Sequence, residues 1–519
     1  MTTAPAGLSG DLDTVRTALS TLDKPFFLVR GDSGVAATND ATLARTARVL
    51  AALPPGRPEA LGDSEFRRAH GVRLAYMAGA MANGIASARL VVALARAGVL
   101  ASFGAAGVLP AKVDEALATI RREAPGLPFS CNLIHSPSEL AMERATVELC
   151  LRHQVRCVEA SAFLDLTPQI VHYRLAGLVE REGRVVAENK VIAKVSRAEV
   201  AEAFLRPAPE SIVRELVASG AVTARQAELA RSLPLADDIT AEADSGGHTD
   251  RRPLSVLVPE LIALRDRVQR ELGYAEQVRV GAAGGIGTPA AAYAAFALGA
   301  AYVVTGSINQ ASVEAAQSDA TKRLLAGAGV NDCEMAPSAD MFELGVDVQV
   351  LKRGTMFPAR AKRLYEVFRT NEGIHTIPAA EREQLEQRTF RRPLEDVWAG
   401  CVSYFTERDP EQIARAEHNP KRKMALIFRW YLGLSSGWSI SGHPDRPADY
   451  QVWCGPAMGA FNTWVAGSYL AAVEHRHAAD LAAQLMRGAA VAARTAHLRI
   501  AGARLPASAC AYLPTPLEA

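Results

Sequence analysis

The stretch VRVGAAGGIGTPAAAYAAFALGAAYVVTGS, residues 278–307, decides how the rest of the chain is read. No charged residue occurs from Val280 to Val313, a length that could cross a bilayer. Gly281, Gly284, Gly285, Gly287, Pro289, Gly299 and Gly306 break it up, however, and such punctuation cuts a long helix into pieces. The pieces read as a strand (VRVGAA), a glycine turn, a helix of small residues (AAAYAAFALG) and a second strand (AYVVTGS). Strand, helix and strand in so short a span form the crossover unit of a parallel sheet, not a membrane span.

The same cadence runs upstream to about Arg73. RLAYMAGA precedes a helix expected over 85–96, VLASFGAAG one from near Ala111, and FSCNLI one over about 137–153. CVEASAF follows, then VIAKVS with the helix RAEVAEAFL, then DDITAEAD with a helix across LSVLVPELIALRDRVQREL. With the two strands of the opening stretch this makes eight strand-like runs. Eight strand–helix repeats predict an α/β fold, a closed (β/α)8 TIM barrel. Two segments interrupt the cadence. GLVEREGRVVAENK (177–190) reads as a polar hairpin, and 209–234 as two extra helices, with Gly220 ending the first and Thr223 capping the second.

Beyond the barrel, residues 1–62 read as a small N-terminal β-containing unit. KPFFLVRGDSGVAATND supplies two short strands around the turn Gly31-Asp32-Ser33-Gly34, and LAALPPGRPEALG a linker. The barrel domain is assigned to 63–375. After about Thr376 the strand signal fades, so 376–519 is expected to be mostly helical. Its Ala-rich helices could pack against a second subunit as a homodimer.

Composition narrows the function classes. The 519 residues suffice for two or three domains, and 49% of them are hydrophobic, enough for a large core. Lys and Arg number 57 against 56 Asp and Glu, which lacks the basic excess of a nucleic-acid binder. The seven cysteines are widely spaced with no C-x-x-C pair, which argues against a disulfide framework or a metal site and for reduced thiols in a cytoplasm. MTTAPAGLSGDLDTV has neither the basic start nor the apolar run of a signal peptide.

EADSGGHTDRRP (242–253) contains a DSGG run reminiscent of a protease nucleophile. Trypsin-like proteases are all-β, whereas this chain alternates strands and helices, so Ser245 is read as part of a loop. That loop follows the sixth strand, at the barrel face where active sites are built. Gly246 and Gly247 would let the backbone approach a flat ligand and leave His248 projecting as the catalytic candidate, although a histidine satisfying loop hydrogen bonds is the plain alternative. Gly284 and Gly285 end the seventh strand, and Gly306 and Ser307 the eighth. Barrels often bind phosphate with the amides of these two loops, although two ordinary turns would look the same. The G-x-G-x-x-G fingerprint of a dinucleotide fold is absent. In MAGAMANGI an apolar strand is broken by small residues and Asn83-Gly84, and small residues with free amides suit a flat ring lying against backbone. Asn132 and Lys194, at the third and fifth strands, could meet its polar edge; alone, each could equally be a capped turn or a solvated end. NPKRKMALIFRWYLG (419–433) sets Lys421, Arg422 and Lys423 beside Trp430 and Tyr431, a pairing that could hint at nucleic acid or be a solvated face over a core.

GAMANGIASARLVVALARAGVLASFG, ADSGGH, AAGGI and VVTGS occur in the order seen in FMN-binding barrels. The chain thus resembles the nitronate monooxygenases and the flavin-type enoyl-acyl-carrier reductases. EADSGGHTDRRP, VLKRGTMFPARAKRLYEVF, NPKRKMALIFRWYLGLSS and DYQVWCGPAMGAFNTWVAGSYL extend the likeness over nearly the whole chain. They resemble the trans-acting enoyl reductases (PfaD family) of polyketide and polyunsaturated fatty-acid synthases. The resemblance implies FMN, NADPH as reductant, and an enoyl thioester on an acyl carrier protein as substrate. It implies that Gly284, Gly285, Gly306 and Ser307 hold the FMN phosphate, that Ala80, Met81 and Ala82 lie against the isoalloxazine, and that Asn132 and Lys194 lie near its polar edge. His248 would face the substrate, as oxyanion donor or as proton donor. The family usually has GGMG or GGMA where this chain has Gly79-Ala80-Met81-Ala82. A nitronate monooxygenase-like oxidoreductase, needing oxygen and no carrier protein, is the alternative reading.

Overall fold

The computed structural model describes residues 10–31, 34–135 and 140–517. Asp32 and Ser33 of the expected turn, the start of the helix expected from 137, and the first nine residues of the stretch read as lacking a signal peptide lie outside them. The chain divides into two compact units. One comprises residues up to 244, 250–316 and 460 onward; the other comprises 245–249 and 317–459.

In the first unit eight strands close a barrel: β1 (Tyr76–Ala78), β2 (Leu100–Phe103), β3 (Ser130–Ile134), β4 (Cys157–Ser161), β5 (Lys190–Val195), β6 (Asp238–Glu242), β7 (Arg279–Ala283) and β8 (Val303–Thr305). Every neighbouring pair is parallel, and β8 pairs with β1 to complete the ring. These are the eight runs expected from sequence. Strands buried on both faces read as continuous apolar runs, which is why their spacing is visible. The 177–190 insertion forms an antiparallel hairpin with Leu178 opposite Ala187. The next insertion forms two helices, Glu210–Ala218 and Ala224–Ala230, the second opened by a capping box between Thr223 and Gln226.

The amino ends of the strands carry a buried ion cluster. Arg279 grips Asp238 through two bonds, Nε to Oδ1 at 2.6 Å and Nη2 to Oδ2 at 2.9 Å, while His70 Nε2 stands 2.8 Å from Oδ2. Burial pushes the Asp238 carboxyl up, but Arg279 and His70 outweigh it and hold it far below the carboxylate range. A carboxyl depressed in the folded state stabilises at pH above its unfolded pKa of about 4 and loses that contribution as pH falls toward the folded value. Urea midpoints of wild type are therefore expected to drop as the pH is lowered below about 4. Asp238→Asn should flatten that dependence and cost about 3–5 kcal/mol at pH 7, because it leaves Arg279 buried without its partner. Equal midpoints for the two proteins at pH 7 would refute this role.

The N-terminal part differs from expectation by one strand. Phe26–Gly31 pairs antiparallel with both Gly34–Thr38 and Arg48–Leu53. The LAAL of the expected linker is thus strand, and the connection begins at Pro54. Helix Ala478–Ile500 explains why residues 460 onward belong with the barrel and not with the other helices of the expected 376–519 region. Its small residues lie on helix Pro289–Ala297, and a Cβ on Gly488 would come within 2.4 Å of Pro289 Cγ. Its far end packs Ala490, Val491 and Leu498 against Val15, Leu19 and Phe26, while Arg494 donates to carbonyls including those of Leu19, Thr21 and Lys24.

Nothing in the sequence separates the second unit from the barrel. Its sheet runs Gly247–His248, Asp347–Leu351, Cys333–Pro337, all antiparallel. Helices Phe357–Thr370, Leu394–Arg408 and Pro420–Ser441 supply a core rich in aromatics, among them Phe342, Phe357, Phe390, Phe428 and Tyr431. CEMAP and DVQVL are short and lack a tight-turn signal between them, so neither stands out as a strand. Among the described residues no helix is long and apolar enough to cross a membrane.

Candidate active site

The carboxyl ends of the barrel strands bring the expected barrel residues into two groups. In the first, Glu159 of β4 is central. Its Oε2 accepts from the Ala80 N–H at 2.8 Å, and its main-chain oxygen accepts from Asn132 Nδ2 at 3.0 Å. Asn132 Nδ2 also donates to Ser161 Oγ at 2.6 Å, so both amide hydrogens are used and its carbonyl oxygen is left to accept. Lys194 Nζ, on β5, lies 2.9 Å from Glu242 Oε1 at the end of β6. Burial works against the Lys194 ammonium, but the carboxylates of Glu242 and Glu159 more than offset it, and its pKa stands above the ordinary lysine value. Lys194 is therefore a fixed positive charge. The turn carrying Ala80, Met81 and Ala82 is half-buried and is tied down by Gly79 N–H to Thr305 O at 3.0 Å.

The second group forms because β7 and β8 are neighbours, with Ala283 opposite Val304. That register carries Gly284 and Gly285 beside Gly306 and Ser307. The glycines do different jobs. A Cβ on Gly284 (φ +88°) would come within 2.6 Å of the Ala243 carbonyl carbon, so this glycine serves close packing. A Cβ on Gly285 or Gly306 would meet nothing within 4 Å, so open space stands over both backbones.

His248 and its glycines lie in the second unit. Gly246 packs closely on protein there: a Cβ would lie 2.8 to 2.9 Å from backbone atoms of Cys454. Gly247 has φ +84°. Gln349 Nε2 donates to Ser245 O at 2.6 Å, and the Ser245 N–H donates to Thr249 Oγ1 at 3.4 Å, so Ser245 is held as part of the loop. His248 Nε2 lies 3.2 Å from Asp340 Oδ1, with 38% of the histidine side chain exposed. Desolvation raises the Asp340 carboxyl, but its bond to His248 and the histidine's charge prevail, and its pKa is lowered. The basic stretch is spent inside this unit. Lys421 donates to Asn371 O at 2.6 Å, Arg422 donates to Gln412 Oε1 at 2.6 Å, and Lys423 lies 4.8 Å above the Trp398 ring.

Three residues escape the sequence reading. Glu159 is legible as a lone acid in the apolar run CVEASAF, and Glu242 as the acid closing strand six. Asp340, in APSADM, carries no periodic or motif signal.

Strands closing into a parallel (β/α)8 barrel, with polar groups gathered at their carboxyl ends, define an enzyme-bearing barrel class. The chain belongs to the nitronate monooxygenase family, whose model matches residues 70–366. Residues 371–450 match the inserted helical domain of [acyl-carrier-protein] S-malonyltransferase. The chain is 46% identical over 497 residues to one component of the polyunsaturated fatty acid synthase of a Thraustochytrium species, and 47% identical over 435 residues to polyketide biosynthesis protein PksE of Bacillus subtilis. Those alignments take in 94% and 83% of this chain but only 33% and 56% of the two longer relatives. Among solved structures it is similar to the enoyl reductase domain of MlnA, from the macrolactin cluster of Bacillus amyloliquefaciens. The TM-score is 0.81 at 38% identity, over 85% of this chain and 99% of that one. These likenesses agree with the resemblance to the PfaD-type reductases.

The barrel residues fit FMN. Gly285 and Gly306 leave a cradle that a side chain would fill, Asn132 offers an acceptor, and Lys194 offers a fixed cation.

Proposed function

We propose that this chain is a trans-acting enoyl reductase, saturating the 2,3-double bond of an enoyl thioester on an acyl carrier protein for polyketide or polyunsaturated fatty-acid synthesis. The observation that carries the reading is the match to the enoyl reductase domain of MlnA over 99% of its length. The match of 371–450 to a helical domain of an acyl-carrier-protein transferase supports the carrier-bound substrate.

FMN, when bound, supplies the β-carbon of the substrate with a hydride drawn from NADPH. The chain's own groups do the rest. Backbone amides of Gly284, Gly285, Gly306 and Ser307 hold the phosphate. The turn at Ala80, Met81 and Ala82 supports the ring face, with Asn132 accepting from its polar edge and Lys194 providing positive charge. Once the β-carbon has gained hydride, negative charge collects on the thioester oxygen and the α-carbon needs a proton. His248 serves that charge, either by donating a hydrogen bond to the oxygen or by protonating the α-carbon. Asp340, 3.2 Å from Nε2, holds the ring.

The family match itself favours a second reading, nitronate oxidation by oxygen. Anaerobic mixing separates the two. The purified chain, loaded with FMN and reduced by NADPH, should regain its oxidised flavin spectrum when a crotonyl carrier protein is added, with saturated thioester formed. Reoxidation only by air, with turnover of a nitronate, would replace the proposal with the second reading.

A further inference from the structure

Glu159 is 2% exposed and sits in its strand between Val158 and Ala160, a costly place for a carboxylate. The groups that satisfy it are those expected to touch the cofactor: the Ala80 N–H at 2.8 Å and, through charge, Lys194. Asn132 is held by the same residue's main-chain oxygen at 3.0 Å. Glu242, 2.9 Å from Lys194, already gives that ammonium a full partner. Around Lys194, one cation therefore faces two carboxylates, one more anion than its charge balances. We propose that Glu159 is the positioning residue of the cofactor face, tying the Ala80 turn to strand β4 and contributing the surplus negative charge that lowers the midpoint potential of bound flavin.

The physical basis is direct. A charge near the ring tunes flavin electronics, and a nearby anion disfavours the electron-rich reduced form. A carboxylate accepting a backbone N–H also forms a stronger bond than a neutral acceptor, so the turn is set by the charge that tunes the ring. The inference rests on the FMN reading above.

The test uses the full chain with Glu159→Gln, Glu159→Ala and Glu242→Gln, read by FMN titration through quenching of its fluorescence and by midpoint potential against a redox dye. Glu159→Gln keeps an acceptor for the Ala80 N–H and should bind FMN at nearly the wild-type level while its midpoint potential rises. Glu242→Gln should also raise the potential, since it too removes one anion. Glu159→Ala should bind FMN about tenfold more weakly or worse, through loss of a bond to a charged acceptor. An unchanged potential in Glu159→Gln overturns the proposal, as does wild-type affinity in Glu159→Ala. If Glu159→Ala does not fold, the potential of Glu159→Gln decides. A wild-type chain that binds no FMN would refute the functional reading itself; normal binding with unaltered variants would refute only the role of Glu159.

Discussion

Gly306→Val is expected to weaken FMN binding by about 10- to 100-fold, from the roughly 1–3 kcal/mol that an intruding branched group costs in a filled site, while leaving the protein as stable as wild type. Gly306 has φ −120°, which any residue adopts, and a Cβ there meets nothing within 4 Å. The protein without cofactor has no reason to resist the valine. The valine methyl groups would instead occupy the space over the end of β8 where the phosphate is proposed to sit. Gly284→Ala makes the contrast. At φ +88° its new Cβ would stand 2.6 Å from the Ala243 carbonyl carbon and 2.8 Å from Asp244 O. The strained backbone and the overlap together should cost about 2–5 kcal/mol of folding stability. FMN titration and thermal melts on both variants separate a ligand cradle from a packing glycine. Wild-type affinity in Gly306→Val would return that pair to being an ordinary turn.

His248→Ala should slow reduction of the enoyl thioester by about 10²- to 10⁴-fold, the usual worth of a positioned proton donor. Reduction of the flavin by NADPH should proceed at the wild-type rate, because that step draws on no proton from this residue. Stopped-flow absorbance resolves the two half-reactions in one preparation. Equal losses in both would mean that His248 supports cofactor binding instead of substrate chemistry. Asp340→Asn should cost less, about tenfold, because it removes the charge that holds the ring but leaves the imidazole. Since Asp340 is held ionised below the ordinary carboxylate range, its support should persist down to about pH 4 and fade below.

The two parts of the candidate site are legible to different degrees. Lys194, Asn132 and the glycine pairs lie at the ends of strands whose apolar runs mark the barrel, so their shared face follows from the topology. What they bond to does not follow. Asn132 spends both hydrogens on β4, and Lys194 answers to Glu242 and Glu159, because parallel neighbours distant in sequence meet only in the closed ring. The close approach of Cys454 to Gly246, from some two hundred residues further on, likewise leaves no trace in the local sequence. Asp340 is invisible for the same reason: its partner is ninety-odd positions upstream, and one aspartate in APSADM has no pattern to betray it.

By itself the sequence determined the barrel, its eight strands, and the inserted hairpin and helices. All of these depend on local apolar rhythm and turn chemistry, which act over a few residues. Only the tertiary structure decided that strands 333–337 and 347–351 join residues 247–248 in a separate unit, and that helix Ala478–Ile500 turns back to the barrel and the N-terminal sheet. It also decided which carboxylates gather around Lys194. Those outcomes come from long-range pairing and from burial of small-residue faces, whose partners the local pattern does not name.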